Sequence, residues 1–233
     1  MYNFNSKNSN YHGQLKVYPI EYLEPGPQCE KNQCYKEMMN FRKIAKATDE
    51  VFVTGRMGES YDSELMENVL TWAKISFEEN RSPFMVEIEQ YVGEWLLYED
   101  KIRVEHDYKV NDIDLNHLQP FENYKIPNVP KHELHLGFNI PKNRKKEPPV
   151  NLSELMKECT ERGFENGGWF IFTNPDEWRY RANEFSNQSL DKCYLRLVYQ
   201  AKNLRSILSD FGIPGVEISF SLEIVHGIWS FGK

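Results

Sequence analysis

The chain has 233 residues, of which 40% are hydrophobic and 27% charged, and its formal net charge at pH 7 is -7. This ordinary globular composition predicts a packed core and excludes a disordered or fibrous chain. The negative charge argues against a nucleic-acid partner, because phosphate binding requires a basic face. No run approaches the roughly 18 apolar residues of a membrane span, so no membrane partner is expected either.

Two short strands and two helices are predicted in the first third of the chain. Alternating apolar residues predict a strand over 14–22, which a Pro-Gly turn cluster ends. Apolar residues at helical spacing predict a helix over 34–47. A β-branched strand over 50–54 is followed by a helix that begins at Ser60, a residue type favoured at the N-cap.

The middle of the chain predicts antiparallel strands joined by loops. Residues 84–108 are typical of a meander with breaks at Gly93 and at 99–101. Residues 111–131 are rich in Asn, Asp and Pro and predict a long loop. A further strand is predicted over 132–140 and a helix over 152–162.

The last third of the chain carries the strongest periodic signals. A buried strand is predicted over 168–172, and apolar residues at spacings of three and four predict a helix over 190–211 that ends at Gly212. Apolar and polar residues alternate over 216–224, which predicts a half-buried strand against which the helix packs. Because strands outnumber helices and no βαβ rhythm persists, the predicted fold class is α+β, with a mainly antiparallel, β-sandwich-like core and several packed helices.

The predicted domain organisation is a short arm followed by one domain. Residues 1–13 are expected to be a flexible polar arm, and residues 14–233 a single assembly domain that contains the long loop 111–131. The arm has no apolar segment of the secretory type, so we expect the protein to stay inside the cell that makes it.

One group of charged residues fits the chemistry of a metal-dependent nuclease. Two carboxylates would hold Mg²⁺ while a lysine orients water. The same alternation is typical of a solvated strand face, which is the interpretation we favour. The residues in question are Asp100, Glu105, Asp107 and Lys109.

The other motifs do not predict an enzyme. The sequence His132-Glu133-Leu134-His135 lacks the spacing of the zinc helix motif, and a strand would point its two histidines to opposite faces. The segment 55–58 lacks the third glycine of a dinucleotide-binding loop. We therefore predict no catalytic residue, no metal and no cofactor.

The four cysteines are too few and too scattered for a disulfide framework, so reduced thiols are expected. Cys29 and Cys34 follow the Pro-Gly turn, and we expect them near the surface, where either could bridge subunits after assembly.

A basic run at 142–146 has the composition of a nuclear-import address or of a contact with an anionic surface. An ordinary charged loop explains so short a run equally well. Its candidate residues are Lys142, Arg144, Lys145 and Lys146.

Several stretches of the chain match a known pattern. Residues 35–41, YKEMMNF, are similar to F-K-E-I-R-N-V, and residues 31–33 match a K-N-Q just upstream of it. Residues 58–70 are similar in spacing and residue type to G-K-E-F-Y-R-E-T-W-T-R-F-M, with Met66 in place of the tryptophan. The acidic-apolar segment 216–231 is similar in character to the final strand of the same pattern. In these stretches, well under half of its length, the chain resembles the baculovirus polyhedrins. The likeness suggests a distant relative, such as a nudivirus polyhedrin-like protein, rather than a baculovirus polyhedrin itself.

The resemblance implies a structural protein that crystallises around virions as a viral occlusion body. It implies a β-sandwich subunit that forms trimers and then a lattice, with other copies of the chain and virions or nucleocapsids as partners. It also implies a location in the nucleus or cytoplasm of the host cell and dissolution of the matrix in alkali.

Two functions of other classes stay open beside self-assembly. The charge of -7 and five tryptophans also fit an acidic protein-binding module, such as an immunity protein that neutralises a basic toxin. The metal-dependent nuclease is the third hypothesis.

Overall fold

The computed structural model describes residues 11–17, 54–56, 67, 70–71, 73–75, 78, 84–107, 116–142, 147–164, 168–173 and 175–231. The chain divides into two compact units. Unit 1 comprises Met1–Gln90, Val110–Val129 and Val225–Lys233, and unit 2 comprises Tyr91–Lys109 and Pro130–Ile224.

The elements with complete bounds are strands, two α-helices and a 3-10 helix. They are β1 (Tyr11–Val17), β2 (Thr54–Arg56), β3 (Phe84–Tyr98), β4 (Lys101–Asp107), the 3-10 helix Asn116–Tyr124, β5 (His132–Pro141), α1 (Leu152–Glu161), β6 (Gly168–Thr173), β7 (Glu177–Ser186), α2 (Leu190–Asp210) and β8 (Ile218–Phe231). Described residues between Glu67 and Glu78 are also helical.

Unit 2 is built on a sheet whose strands follow the order β4-β3-β8-β5-β7-β6. Side chains alternate between the faces of a strand, so β5 directs Leu134, Leu136 and Phe138 to one side, where they are buried. The buried stripe of α2, which includes Leu197 and Leu204, belongs to the same apolar cluster. The helix therefore covers this face of the sheet and removes its apolar side chains from water.

The ends of both α-helices follow from local sequence. Asn151 caps α1, because its side-chain oxygen accepts hydrogen bonds from the backbone amides of Ser153 and Glu154 at 2.9 and 3.2 Å. Helix α2 ends where Gly212 adopts a φ of +75°, a conformation that side chains disfavour and glycine does not.

In unit 1, β1 pairs with both β2 and β3 in antiparallel register. The 3-10 helix leads into a bridge between Lys125 and Trp229 of β8. Trp229 is fully buried, and the Lys125 ammonium lies 5.7 Å from the centre of its ring. Among the described residues, no helix is long and apolar enough to cross a membrane.

The predicted α+β class with a mainly antiparallel sheet and packed helices is confirmed. The predicted helix over 190–211 and strand over 132–140 correspond to α2 and β5. The predicted break at Gly93 is wrong, because β3 continues through it, and the predicted loop 111–131 contains the 3-10 helix. Strand β7 was not predicted, because its mixed sequence EWRYRANEFS has no continuous apolar run.

Replacement of Gly137 by alanine is expected to destabilise the protein. A Cβ atom at this position would lie 2.7 Å from the backbone oxygen of Tyr180 and 2.7 Å from Cδ of Arg181, whose guanidinium crosses this part of the sheet. Because a backbone atom cannot move aside easily, we expect Gly137→Ala to lower the free energy of unfolding by about 1–3 kcal/mol in urea denaturation. Asn139→Ala, on the same face two residues later, should cost less, and equal costs would contradict the steric explanation.

Candidate functional site

The acidic residues proposed for a nuclease lie on and beside the exposed strand β4. Asp100 pairs with Arg205 of α2 at 3.0 Å, and Glu105 pairs with Arg103 at 2.5 Å. Two of the predicted Mg²⁺ ligands therefore form ion pairs with arginine side chains. Lys109 lies outside the described residues.

The other predicted site residues lie largely outside the described part of the chain. This holds for Cys29 and Cys34 and, within the basic run, for Arg144, Lys145 and Lys146. Lys142 is described, and its ammonium lies 4.8 Å from the ring centre of Trp178. The other two cysteines, Cys159 and Cys193, are free and buried.

The two histidines of the segment at 132–135 point to opposite faces of β5, as a strand requires. His132 lies on the helix-covered face, where its Nδ1 is 3.8 Å from the Cys193 sulfur. Burial lowers the pKa of His132, so the ring is neutral at pH 7. His135 lies on the other face, among polar side chains.

On that face, unit 2 contains a connected polar network of Glu133, His135, Asn183 and Glu223. The strand register brings them together, because Glu133 stands opposite Glu223 on β8 and His135 stands opposite Asn183 on β7. The side chains of Glu133 and Glu223 are 2% and 0% exposed, and that of His135 is 18% exposed. Two carboxylates are therefore buried on neighbouring strands beside one imidazole.

Asn183 fixes the tautomer of His135. Its Nδ2 donates to Oε1 of Glu133 at 2.7 Å, which leaves its Oδ1 facing Nδ1 of His135 at 2.9 Å. An amide oxygen only accepts hydrogen bonds, so Nδ1 of His135 carries a hydrogen. The two hydrogen bonds therefore run in one direction, because the imidazole donates to the Asn183 amide and that amide donates to the Glu133 carboxylate.

The second ring nitrogen of His135 lies close to the second carboxyl group. Nε2 of His135 lies 3.2 Å from Oε1 of Glu223 and 4.0 Å from Oε1 of Glu133. The imidazole ring therefore lies within reach of both buried carboxyl groups.

Local sequence patterns contain only part of the information that places this network. Alternation along β8 predicts Glu223 on the polar face of a half-buried strand, and the strand predicted over 132–140 says nothing of the burial of Glu133. Their burial and mutual proximity depend on which strands pair and in which register, and neither is encoded locally.

Unit 1 also contains a buried histidine. Nε2 of His226 lies 3.1 Å from Oε1 of Gln90. Burial lowers the pKa of His226 to about 4, so its ring is neutral at physiological pH.

The second candidate site is the surface formed by β4, called here the β4 edge and defined as Lys101–Asp107. Among the described strands, β4 pairs only with β3. All of its residues except Ile102 are exposed, including Val104, which is 56% exposed. The neighbouring Tyr98, at the start of the hairpin turn, is also more than half exposed. The β4 edge thus offers backbone groups and an apolar side chain to a partner.

Comparison with known proteins leaves the family open. No family model matches the chain, and no curated protein matches its sequence. The resemblance to polyhedrins therefore stays a prediction.

Proposed function

We propose that this protein is a structural protein that assembles with copies of itself, and the observation that carries the proposal is the exposed β4 edge. An edge strand presents unpaired backbone donors and acceptors, so it is a template for another strand. Proteins that stay monomeric commonly cover or shorten such edges. Here, seven residues of strand stand at the end of the unit 2 sheet with nearly all their side chains exposed.

A second exposed apolar surface supports the formation of an extended assembly. Leu195 and Tyr199 lie one turn apart on α2 and are 64% and 58% exposed. A contact that is symmetric about a two-fold axis joins only two subunits, so a matrix needs at least one further contact. The α2 surface provides an apolar candidate for that contact.

The polyhedrin resemblance specifies the kind of assembly. On this proposal the protein forms the crystalline matrix of viral occlusion bodies, requires no cofactor, and encloses virions in the infected cell. A trimeric subunit and a nuclear location belong to the same proposal.

The assembled form is expected to be stable near neutral pH and to dissolve in strong alkali. Above about pH 10–11 lysines lose their charge and tyrosines ionise. Ten arginines then stand against 35 acidic residues and 13 tyrosines, which gives a limiting net charge of about -38. Ion pairs made by lysine disappear while negative charges accumulate at every contact, so dissolution should be steep. Turbidity of purified particles between pH 7 and 12 measures it.

Two measurements test the proposal, one for self-assembly and one for dissolution in alkali. Expression in insect cells followed by electron microscopy should show ordered particles. Soluble monomers at high protein concentration would contradict self-assembly itself. Particles that dissolve in acid but persist in alkali would contradict the electrostatic explanation and leave assembly intact.

A further inference from the structure

We propose that the β4 edge pairs with the β4 edge of a second copy, antiparallel and about a two-fold axis that passes through Val104. This inference rests on the proposed self-assembly and names one of its contacts. Three features of β4 support this pairing: the order of its charges, its exposure and its single neighbour among the described strands.

The two halves of β4 carry opposite charges. Lys101 and Arg103 precede Val104, and Glu105 and Asp107 follow it. Two copies of a strand with this order of charges are complementary in charge when they run antiparallel. Antiparallel pairing centred on Val104 sets Arg103 of one copy opposite Glu105 of the other, two residues whose side chains already lie together on β4.

The same order excludes a parallel pairing in register. That pairing would set Arg103 against Arg103 and Glu105 against Glu105, and like charges directly opposite each other are destabilising. At the centre of the antiparallel pairing, Val104 meets Val104 of the second copy, so the one exposed apolar residue of the strand is covered. Ile102 lies on the same face of β4 as Val104, whereas the register shift places His106 beside Glu94 on the other face.

Arg103 already makes ion pairs that the pairing would exchange. Its Nε lies 2.5 Å from Oε1 of Glu105, and its Nη2 lies 3.3 Å from Oε1 of Glu217, in the same unit. Arg103 and Glu105 of one copy would instead face Glu105 and Arg103 of the other. The Arg103 and Glu105 side chains would therefore each face a partner of opposite charge in the second copy.

A competing explanation is that these features protect the edge from pairing. Charged residues and bulges do so in many sheets, and the register of β3 with β4 shifts by one residue between Glu94 and Trp95. Protection of the edge requires only that β4 carries charged side chains, whereas pairing with a second copy requires basic and acidic residues in the observed order. Reversing the charge at one position therefore distinguishes the two explanations.

Single reversals are expected to weaken self-association, and a double reversal to restore it. Arg103→Glu sets carboxylates against carboxylates at both symmetric positions, and Glu105→Arg does the same with arginines. We expect each to raise the dimer dissociation constant about tenfold or more in analytical ultracentrifugation. The double variant Arg103→Glu/Glu105→Arg should return to the parent value, and so should a mixture of the two single variants.

Cross-linking tests the position of the axis. The Cα atoms of directly opposite residues in antiparallel strands lie about 4.5–5.5 Å apart, within the range of a disulfide. Val104→Cys should therefore form a covalent dimer on mild oxidation. The matched control is Glu161→Cys, exposed at the end of α1, and the parent chain oxidised in parallel accounts for its own cysteines.

The outcomes distinguish this inference from the proposed function. If the parent chain assembles but Val104→Cys cross-links no more than Glu161→Cys, the β4 pairing is overturned and self-assembly stands. If the mixture of the two single variants associates no better than either variant alone, the proposed antiparallel register centred on Val104 is wrong. If the parent chain stays monomeric at every concentration, both are overturned.

Discussion

Replacement of His135 by alanine is expected to lower the free energy of unfolding by about 1–3 kcal/mol, because it removes the hydrogen-bond partner of the Asn183 amide oxygen in a buried network. Glu133 and Glu223 stand opposite each other on β5 and β8, and both side chains are almost completely buried. The His135 ring lies 3.2 Å from Oε1 of Glu223 and 4.0 Å from Oε1 of Glu133, so its loss also opens a space beside two buried carboxyl groups.

A double-mutant cycle separates repulsion between the two carboxylates from simple loss of packing. If repulsion between carboxylates causes the instability, Glu223→Gln should be less harmful in the His135→Ala background than in the parent chain, because it removes one of the two charges. Urea denaturation followed by circular dichroism gives the four free energies. Additive effects of the two substitutions would show that the network does not act as a unit.

His106→Ala is the matched control for exposure. His106 of β4 also faces a carboxylate, with its Nε2 3.7 Å from Oε2 of Glu94, but both side chains are more than a third exposed. Exposed ion pairs contribute only about 0–1 kcal/mol, because water screens them. A similar loss in both histidine variants would mean that burial is not the cause.

Leu197→Ala is expected to lower the free energy of unfolding by about 2–5 kcal/mol, the cost of a cavity in a packed core. Leu197 is fully buried in the middle of α2 and belongs to the apolar cluster that includes Phe220 and Leu222 of β8. The loss combines the transfer energy of the missing atoms with the empty space left among neighbours that cannot collapse fully.

Leu195→Ala supplies the comparison on the same helix. Leu195 is 64% exposed, so its truncation removes little buried surface, and alanine favours the helix slightly more than leucine does. We expect a change within about 0.5 kcal/mol. Equal losses at 195 and 197 would contradict the assignment of the buried face. If Leu195 contributes to assembly, Leu195→Ala will instead reduce self-association at unchanged stability.

The sequence by itself determined the elements whose signals are local. The apolar stripe of α2 has a period that only a helix satisfies, and Gly212 marks its end. The alternation that begins β8 predicted a strand with one buried face, and a strand was also predicted where β5 lies. These features depend on neighbours a few residues apart, so they can be read from one segment at a time.

Only the tertiary structure decided what lies on the second face of the sheet. The sequence predicted Glu223 as part of a solvated face, yet it is fully buried opposite Glu133, 90 positions earlier in the chain. Asn183 reaches the same place from β7, which the sequence did not reveal as a strand. The exposure of β4 is likewise a property of strand order, because the same charged sequence would be covered in the middle of a sheet. Pairing and register between distant strands follow from the energy of the whole sheet, which no local segment contains.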